Sequence, residues 1–384
     1  MTHAPLGTPG PAHAALRPVG HAPARTVALA VSGHGFGHAV RSAEVARALL
    51  KRGARVKVRT DAPDWLFPAE AERLPSPGWP LDVGVAQHDG LDLDIDATRR
   101  RWLSFASEFN TRVEHEARLL VDHGVDVLLG DIPPLAFAAA AAAGIPSAAL
   151  GNFGWDWIYA AWPDFAGIIE QVQAGYRLAE VLYRLPLHSP ARDAFPAFAV
   201  VDDVPLIARR AARSRRVVRA ELGLATDARV VLVSFGGFSA HGLDLFALGE
   251  WTRYVFVLTP PVSTASADLP PNVVALPENP ADYVSLLSAC DAVVTKPGYG
   301  IVADCMANRV AMLFTDRGPF REYEVLAHAL PTLCRARFVP RADVLAAWLG
   351  PHLDALFEVP AVWTDQRLDG ASIVAERVLR VRCK

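Results

Sequence analysis

The segment Gly33-His-Gly-Phe-Gly-His38 combines backbone freedom with two imidazoles. Glycine at alternate positions lets the chain approach a ligand closely and adopt positive φ angles. A histidine where such a loop meets a helix can act as a general base near neutral pH, provided that a partner fixes its tautomer. Asp131 ends a strand of the same predicted sheet, so a His38–Asp131 pair would activate a hydroxyl group. Alternatively, His38 caps the helix, and His34 is structural or contacts a substrate.

Two further glycine-rich segments, Ser234-Phe-Gly-Gly237 and Lys296-Pro-Gly-Tyr-Gly300, follow predicted strands in the second half of the chain. Backbone N–H groups, a helix N-terminus and the Lys296 ammonium would together hold a diphosphate and stabilise its charge without a metal. Asp304 could accept from ribose hydroxyls and Glu322 from sugar hydroxyls. The alternative for each charge is an exposed surface residue.

Two familiar nucleotide signatures fail in this sequence. The dinucleotide pattern G-x-G-x-x-G is broken because His38 takes the place of the third glycine, although Asp61 does follow the second predicted strand. The phosphate-loop pattern G-x-x-x-x-G-K-[ST] is absent. A nicotinamide cofactor is therefore disfavoured, and no cofactor is expected.

Three residue clusters have a functional and a structural interpretation. The acidic run Asp92-Leu-Asp-Ile-Asp96 could bind a cation, but the turn glycine of an EF-hand loop is missing and a solvated loop is favoured. The aromatic stretch Asn152–Trp162 follows a strand end and is favoured as an acceptor wall over core packing. Six arginines between 209 and 219 could contact nucleic acid or a membrane, but a solvated helix face is favoured.

The order of apolar runs predicts the elements that position these groups. Thr26–Ser32 is a continuous apolar run typical of a strand buried on both faces, followed by the glycine loop, a helix over Ser42–Arg52 and a second strand. The same pattern recurs from Val125 and again from Arg229. Parallel sheets of this kind bind ligands at the carboxyl ends of their strands, so the glycine loops should line one cleft between two doubly wound α/β domains.

The division of the chain follows from composition. We expect a tail over 1–24, an acceptor-binding domain over 25–200, a nucleotide-sugar-binding domain over 201–362, and a C-terminal helix over 363–384 that returns to the first domain. The proline-rich stretch 186–205 is the expected linker, and Arg209–Leu222 the first helix beyond it. The tail histidines His3, His13 and His21 are spaced too irregularly for a metal site.

Overall composition narrows the class of protein. The 384 residues are 52% hydrophobic and carry a net charge of −3, which excludes a wholly disordered chain and gives no global attraction to nucleic acid. The four cysteines show no metal or disulfide spacing, and no signal peptide or membrane-spanning run is evident. We therefore expect a cytoplasmic protein without a transmembrane segment, for which a homodimer is compatible with the sequence.

Five stretches resemble the GT-B glycosyltransferases, which include MurG-like enzymes and the plant enzymes of secondary metabolism. The resemblance is strongest to the glycosyltransferase-like N-terminal region of plant L-arabinokinases and its free-standing bacterial relatives, and it covers roughly residues 26–345. The stretches are Ser32–Arg41, Gly130–Pro134, Gly151–Tyr159, Asp203–Leu206 and Lys296–Gly300.

This resemblance implies a GT-B fold with His38 as general base and Asp131 as its partner. The ribose contact, usually glutamate, is Asp304 here, and Arg321-Glu322-Tyr323 replaces the usual Asp-Gln donor signature. The implied donor is a UDP-sugar and the partner a small-molecule or glycan acceptor. The donor-binding candidates are Ser234, Gly236, Gly237, Lys296, Gly298, Tyr299, Gly300, Asp304, Arg321 and Glu322. The acceptor-binding candidates are His34, Phe36, Gly37, Asn152, Trp155 and Asp156.

The leading hypothesis is a metal-independent, inverting glycosyltransferase. No kinase-like segment follows the resembling region, so arabinokinase activity is not expected. Two alternatives remain from other classes: a non-catalytic binder of sugar nucleotides, and a nucleotide-sugar 2-epimerase.

Overall fold

Two parallel β-sheets, each covered by helices, form the frame of the protein in a computed structural model. The structure describes residues 24–190, 194–237, 239–262, 268–278, 280 and 282–383. All but the last residue of the expected tail over 1–24 lies outside this range.

The first sheet is built around β1, whose six residues are all buried because both faces are covered. Seven parallel strands lie in the order β3-β2-β1-β6-β7-β8-β9, and β4 and β5 form a separate antiparallel pair. The strands are β1 Thr26–Val31, β2 Arg55–Arg59, β3 Glu72–Arg73, β4 Ala86–Gln87, β5 Leu93–Asp94, β6 Val127–Asp131, β7 Ser147–Gly151, β8 Val181–Arg184 and β9 Val201–Asp203.

The second sheet repeats this plan with six parallel strands in the order β12-β11-β10-β13-β14-β15. In each sheet the central strand pairs with the next strand in sequence on one side and a later strand on the other. The crevice between β1 and β6 and that between β10 and β13 are therefore the switch points at which ligands bind. The strands are β10 Arg229–Val233, β11 Tyr254–Leu258, β12 Val273–Ala275, β13 Ala292–Thr295, β14 Ala311–Phe314 and β15 Ala336–Phe338.

Helices cover both sheets, and no helix of the described residues is long and apolar enough to cross a bilayer. The helices are α1 Gly35–Leu50, α2 Ile95–Ser107, α3 Phe109–Asp122, α4 Pro134–Ala142, α5 Trp155–Tyr159, α6 Ala166–Tyr176, α7 Arg215–Glu221, α8 Tyr283–Ala289, α9 Tyr299–Asn308, α10 Arg321–Leu333, α11 Arg341–Leu345, α12 Gly350–Glu358 and α13 Gly370–Val378.

Three boundaries differ from the sequence prediction. Helix α1 begins at Gly35, not Ser42, so His38 lies in its first turn. The predicted linker 186–205 includes β9, which still pairs with β8 in the first sheet. The basic helix begins at Arg215 rather than Arg209, because residues 209–211 are held as an extended segment against α9 through Asp304 and Asn308.

The chain crosses between the two halves more than once. Leu91, in the turn between β4 and β5, is fully buried in the core of the second half, and its carbonyl accepts from Arg341 (2.9 Å). At the other end of the chain, α13 buries Val374 and Val378 in the core beneath α1. Both connections fix how the two sheets face each other.

The acidic run has structural roles in this arrangement. Asp94 caps α2 by accepting from the Ala97 N–H (2.7 Å), and Asp89 accepts from the backbone of Leu91 and His241. Asp92 and Asp96, the other carboxylates of the run, are exposed to solvent.

Candidate active site

The glycine loops of the two sheets meet across one cleft. A Cβ on Gly300, at the start of α9, would lie 3.6 Å from the Gly37 Cα at the start of α1. A Cβ on Gly237 would lie 2.5 Å from the Phe36 ring, so a larger residue has no room there. The N-termini of α1 and α9 therefore face the same space, as the switch-point rule requires.

His38 lies in the first turn of α1 and lines this cleft. Its Nδ1 is 2.7 Å from the Asp131 Oδ1 at the end of β6, and both side chains are buried. An ionised carboxylate can only accept, so Nδ1 carries the proton and Nε2 keeps its lone pair. The predicted His38–Asp131 pair is therefore assembled in the tautomer that a general base needs.

Arg41, which sequence reasoning did not single out, joins this pair. Its Nε donates to Asp131 Oδ2 (2.6 Å), its Nη2 to Asp131 Oδ1 (2.5 Å) and its Nη1 to Asn152 Oδ1 (2.5 Å). Burial would raise the pKa of Asp131, but the charges and hydrogen bonds of Arg41 and His38 lower it to about 2. The three-residue spacing from His38, which puts both on one helix face, was the available signal.

A second buried carboxylate, Asp82, lies beside the cleft without a cation bonded to it. Asp82 accepts from the Ser32 hydroxyl (3.0 Å) and from the Trp155 indole N–H (2.8 Å). Burial raises its pKa to about 6, and these hydrogen bonds offset only part of that effect. Trp155 is thereby held in the core, fully buried.

His34 is held as a neutral imidazole. Its Nδ1 accepts from the Val85 N–H (3.3 Å), so Nε2 carries the proton and can donate. Burial, together with the positive charge of Arg317, lowers the pKa of His34 well below its usual value. The imidazole contributes to the walls of two cavities, the main cleft and a second one described below.

The C-terminal side of the cleft is cationic. Lys296, after β13, and Arg317, after β14, are both buried, and burial together with their mutual repulsion lowers the pKa of Lys296 well below its usual value. Glu322 lies 3.6 Å from Arg317, and burial raises its pKa against the pull of the surrounding cations. The Nε of Arg317 and the hydroxyl of Tyr299 are buried with no partner among the described residues.

Most predicted donor-binding residues line this cleft. Gly236 and Gly237 both have positive φ (69° and 84°), and Ser234 accepts from the Thr259 hydroxyl (3.0 Å). The predicted residues brought together here are His34, Phe36, Gly37, His38, Ser234, Gly236, Gly237, Lys296, Gly298, Tyr299, Gly300, Asp304 and Glu322.

Besides Asp131, which His38 contacts from the cleft side, four predicted residues do not line the cleft. Asn152 is used internally, accepting from Arg41 and donating to the Pro186 carbonyl. Asp156 faces Gln173 of α6, where burial raises its pKa to about 6, and Trp155 is core. Arg321 stacks over Trp157 (4.6 Å) and donates to its carbonyl (3.0 Å), whereas Arg317, four residues earlier, faces the cleft.

The basic cluster is a solvated face only in part, since the exposed arginines are Arg210, Arg213, Arg215 and Arg216. Arg219 is fully buried, where it donates to the Ala289 carbonyl (2.8 Å) and to Asp291 (2.8 Å), so that prediction is wrong for this residue. Arg209 precedes the helix and lines the cleft beside Asp304. Residue type alone gave no means of separating these arginines from their exposed neighbours.

A second cavity adjoins the first at His34. It lies between the loop after β1, the segment 80–87 and the helices α2 and α3. Its wall includes the charged or polar side chains of Asp61, Asp82, Gln87 and Arg101, together with the ring of Phe105.

The chain has the GT-B fold. Over 93% of its length it matches the glycosyltransferase SnogD of Streptomyces nogalater (TM-score 0.58, 16% identity, 99% of that chain) and MurG of Acinetobacter baumannii (TM-score 0.53, 16% identity, 100% of that chain). It also matches Arabidopsis thaliana UGT89C1 complexed with quercetin over 92% of its length (TM-score 0.57, 17% identity, 94% of that chain). The expected fold is thereby confirmed.

The sequence is, more particularly, similar to that of a plant L-arabinokinase. Over 333 residues it is 35% identical to the Arabidopsis thaliana protein. The match covers 84% of this chain and 31% of that protein, so the chain spans about a third of the length of its curated relative. No protein-family model matches the chain.

Proposed function

We propose that this protein is an inverting glycosyltransferase that transfers a sugar from a nucleotide diphosphate to an acceptor hydroxyl. The observation that carries the proposal is the His38–Asp131 pair, whose bonded Nδ1 leaves the Nε2 lone pair for a substrate in the cleft. The buried cations Lys296 and Arg317 supply the second half of the reaction, on the opposite wall.

Each group has one task in the reaction. Nε2 of His38 takes the proton of the acceptor hydroxyl while that oxygen forms a bond to the anomeric carbon. The bond from the anomeric carbon to the phosphate oxygen breaks, and its electron pair leaves with the diphosphate. Lys296, Arg317 and the N-terminus of α9 stabilise the charge that develops there. Displacement from the face opposite the leaving group inverts the anomeric centre.

The donor is a sugar linked to a nucleoside diphosphate, with UDP as the expected nucleotide. The backbone N–H groups around Gly236, Gly237 and Gly298 can approach phosphate oxygens closely because no side chains intervene. The fold supports this choice, since UGT89C1 has been crystallised with UDP and with UDP-L-rhamnose.

The acceptor enters through the second cavity, beside His34. Its wall offers hydrogen-bond donors and acceptors on Asp61, Gln87 and Arg101, which a polar acceptor can use, beside the apolar surface of Val85 and Phe105. The acceptor class that fits is a small molecule with several hydroxyl groups. A matched panel of sugars and phenols, tested with one donor, would check this: turnover confined to the phenols would contradict it.

The proposal is tested by comparing wild type with His38→Ala on a panel of UDP-, TDP- and GDP-sugars. We expect transfer by the wild type, unaffected by a chelator, and a loss of about 10²–10⁴-fold in the variant with nucleotide binding retained. Binding raises thermal stability, so a melting-temperature shift reports it independently.

Other outcomes would identify the alternatives. Binding without any turnover would indicate a non-catalytic sugar-nucleotide binder, and formation of an epimer without acceptor would indicate an epimerase. Near-wild-type turnover in His38→Ala would show that another group is the base.

A further inference from the structure

The nucleoside end of the cleft is identified by its position along α9. The N-terminus of α9, at Tyr299, faces the diphosphate loops, and Asp304 follows five residues later, about 7.5 Å along the helix axis at 1.5 Å per residue. A nucleotide whose diphosphate lies at this N-terminus therefore places its ribose near Asp304. Tyr283, Pro260 and Pro280 line the same end of the cleft.

The carboxylate of Asp304 is already occupied. Its Oδ1 accepts from the backbone N–H of Arg209 (3.0 Å), and its Oδ2 accepts from Arg209 Nε (3.1 Å) and Nη2 (2.6 Å). Asp304 is 2% exposed, whereas the Arg209 side chain is 22% exposed, and its guanidinium lies over the Tyr283 ring (5.9 Å) at the wall of the cleft.

Hydrogen bonds to the backbone around Arg209 hold this residue in place. Asn308, one turn beyond Asp304, donates to the Arg209 carbonyl (2.9 Å) and accepts from the Ala211 N–H (2.9 Å). The guanidinium is therefore held by its ion pair with Asp304, and the backbone of Arg209 is held by Asn308. Because both guanidinium bonds to Oδ2 are charge-assisted, the pair resists displacement by a neutral hydroxyl.

We infer that Arg209 is a specificity-determining residue that prevents Asp304 from reading the ribose 2′-hydroxyl. The inference rests on the proposed function. A free carboxylate at this place would accept from ribose hydroxyls and reject a deoxyribose, because a buried acceptor would lose its partner. With Asp304 paired to Arg209, nucleoside diphosphates that contain ribose or 2′-deoxyribose should bind equally well.

Isothermal titration of the full chain with UDP and 2′-deoxy-UDP tests this directly. We expect dissociation constants within about threefold of each other for the wild type. In Arg209→Leu the carboxylate is released, and a preference of about tenfold for UDP should appear. Arg210→Leu is the matched control, since Arg210 is exposed and bonds only to the Ala307 carbonyl among described residues.

The possible outcomes distinguish a failure of this inference from a failure of the proposed function. Failure of both nucleotides to bind the wild type would contradict the proposed function, and the inference with it. Binding of both with a tenfold or greater preference for UDP would contradict the inference alone. This wild-type comparison decides the question even if Arg209→Leu does not fold.

Discussion

The two walls of the cleft balance their charged side chains differently. On the N-terminal wall Asp131 accepts from His38, Arg41 and Ser42, so that its charge is met within the protein. On the C-terminal wall Arg317 lies 3.6 Å from the Glu322 carboxylate, and the Arg317 Nε has no partner among described residues.

The hydrogen-bond network of the N-terminal wall is complete without a ligand, whereas the charge of the C-terminal wall would be balanced by a bound anion. A saturated network fixes the orientation and tautomer of His38 before any substrate arrives, which is what a general base requires. A buried guanidinium such as that of Arg317, with one N–H group unpartnered among the described residues, is costly in the empty protein, and an arriving diphosphate would remove that cost. Changes on the first wall should therefore affect turnover, and changes on the second should affect donor binding.

The largest expected effect comes from Asp131→Asn. His38 loses the carboxylate that holds its proton on Nδ1, and buried Arg41 loses its counter-ion. We expect turnover to fall about 10³–10⁴-fold and the free energy of unfolding to fall by about 3–5 kcal/mol, with UDP affinity nearly unchanged where the variant is folded. Steady-state kinetics, chemical denaturation and calorimetry check these three quantities. An equal loss of UDP affinity would show that the walls are not separate.

Arg317→Met tests the C-terminal wall. It removes the guanidinium, which stacks on Phe320 (guanidinium carbon 3.9 Å from the ring centre), but keeps an unbranched side chain. We expect the dissociation constant of UDP to rise about 10–100-fold, the value of one or two charge-assisted hydrogen bonds.

Arg321→Met is the matched control for this experiment, because Arg321 stacks on Trp157 outside the cleft. It should change the constant less than about threefold. Equal weakening in both variants would assign the effect to general surface charge.

Asp82→Asn tests the second buried carboxylate on the N-terminal side of the cleft, which, unlike Asp131, is raised in pKa. The folded state holds a proton on Asp82 up to a pKa of about 6, against 3.8 for the unperturbed group, so it binds more protons than the unfolded state between pH 4 and 6. Stability from this group therefore falls as the pH rises through that window and stays lower above it.

An amide at this position can accept from Trp155 and donate to Ser32 without a charge. The variant should therefore gain about 2 kcal/mol over the wild type between pH 4 and pH 7, measured by urea denaturation. A difference between the two proteins that does not vary with pH would contradict the assignment.

The smallest expected effect on stability comes from the glycine loop, where the two walls of the cleft touch at Gly237 and Phe36. Gly237→Ala adds a Cβ against the Phe36 ring at a positive φ, whereas Gly236→Ala meets only the positive φ, with nothing described within 4 Å. Both should lose about 1 kcal/mol of stability in thermal unfolding. Gly237→Ala should weaken donor binding more than Gly236→Ala, because it also forces the walls apart; equal weakening by both would contradict this.

Much of this architecture could be predicted from local pattern. The apolar run of β1, the glycine loops and the order of strands and helices predicted two α/β units with their loops at one cleft. The boundaries of α1 and of the basic segment were missed, since each depends on contacts outside its own segment. His38 and Asp131 could be paired in advance because both follow strands of one sheet.

Which charges face the cleft was decided by tertiary structure. Arg317 and Arg321 are alike in type and four residues apart, yet the turn into α10 sends one to the cleft and the other onto Trp157. Likewise the sequence predicts that Trp155 belongs to a ligand-binding wall, but its side chain is buried and donates to Asp82, 73 residues away along the chain.

The sequence by itself determined the elements, because periodicity and glycine placement act over a few residues. It also determined the chemical types available at the strand ends, and so the class of reaction to consider. Only the tertiary structure decided that Arg41 completes the His38–Asp131 pair and that Arg209 occupies Asp304, since these are ion pairs between distant segments. Electrostatic energy depends on distance in space and on burial, and neither is written in the order of residues.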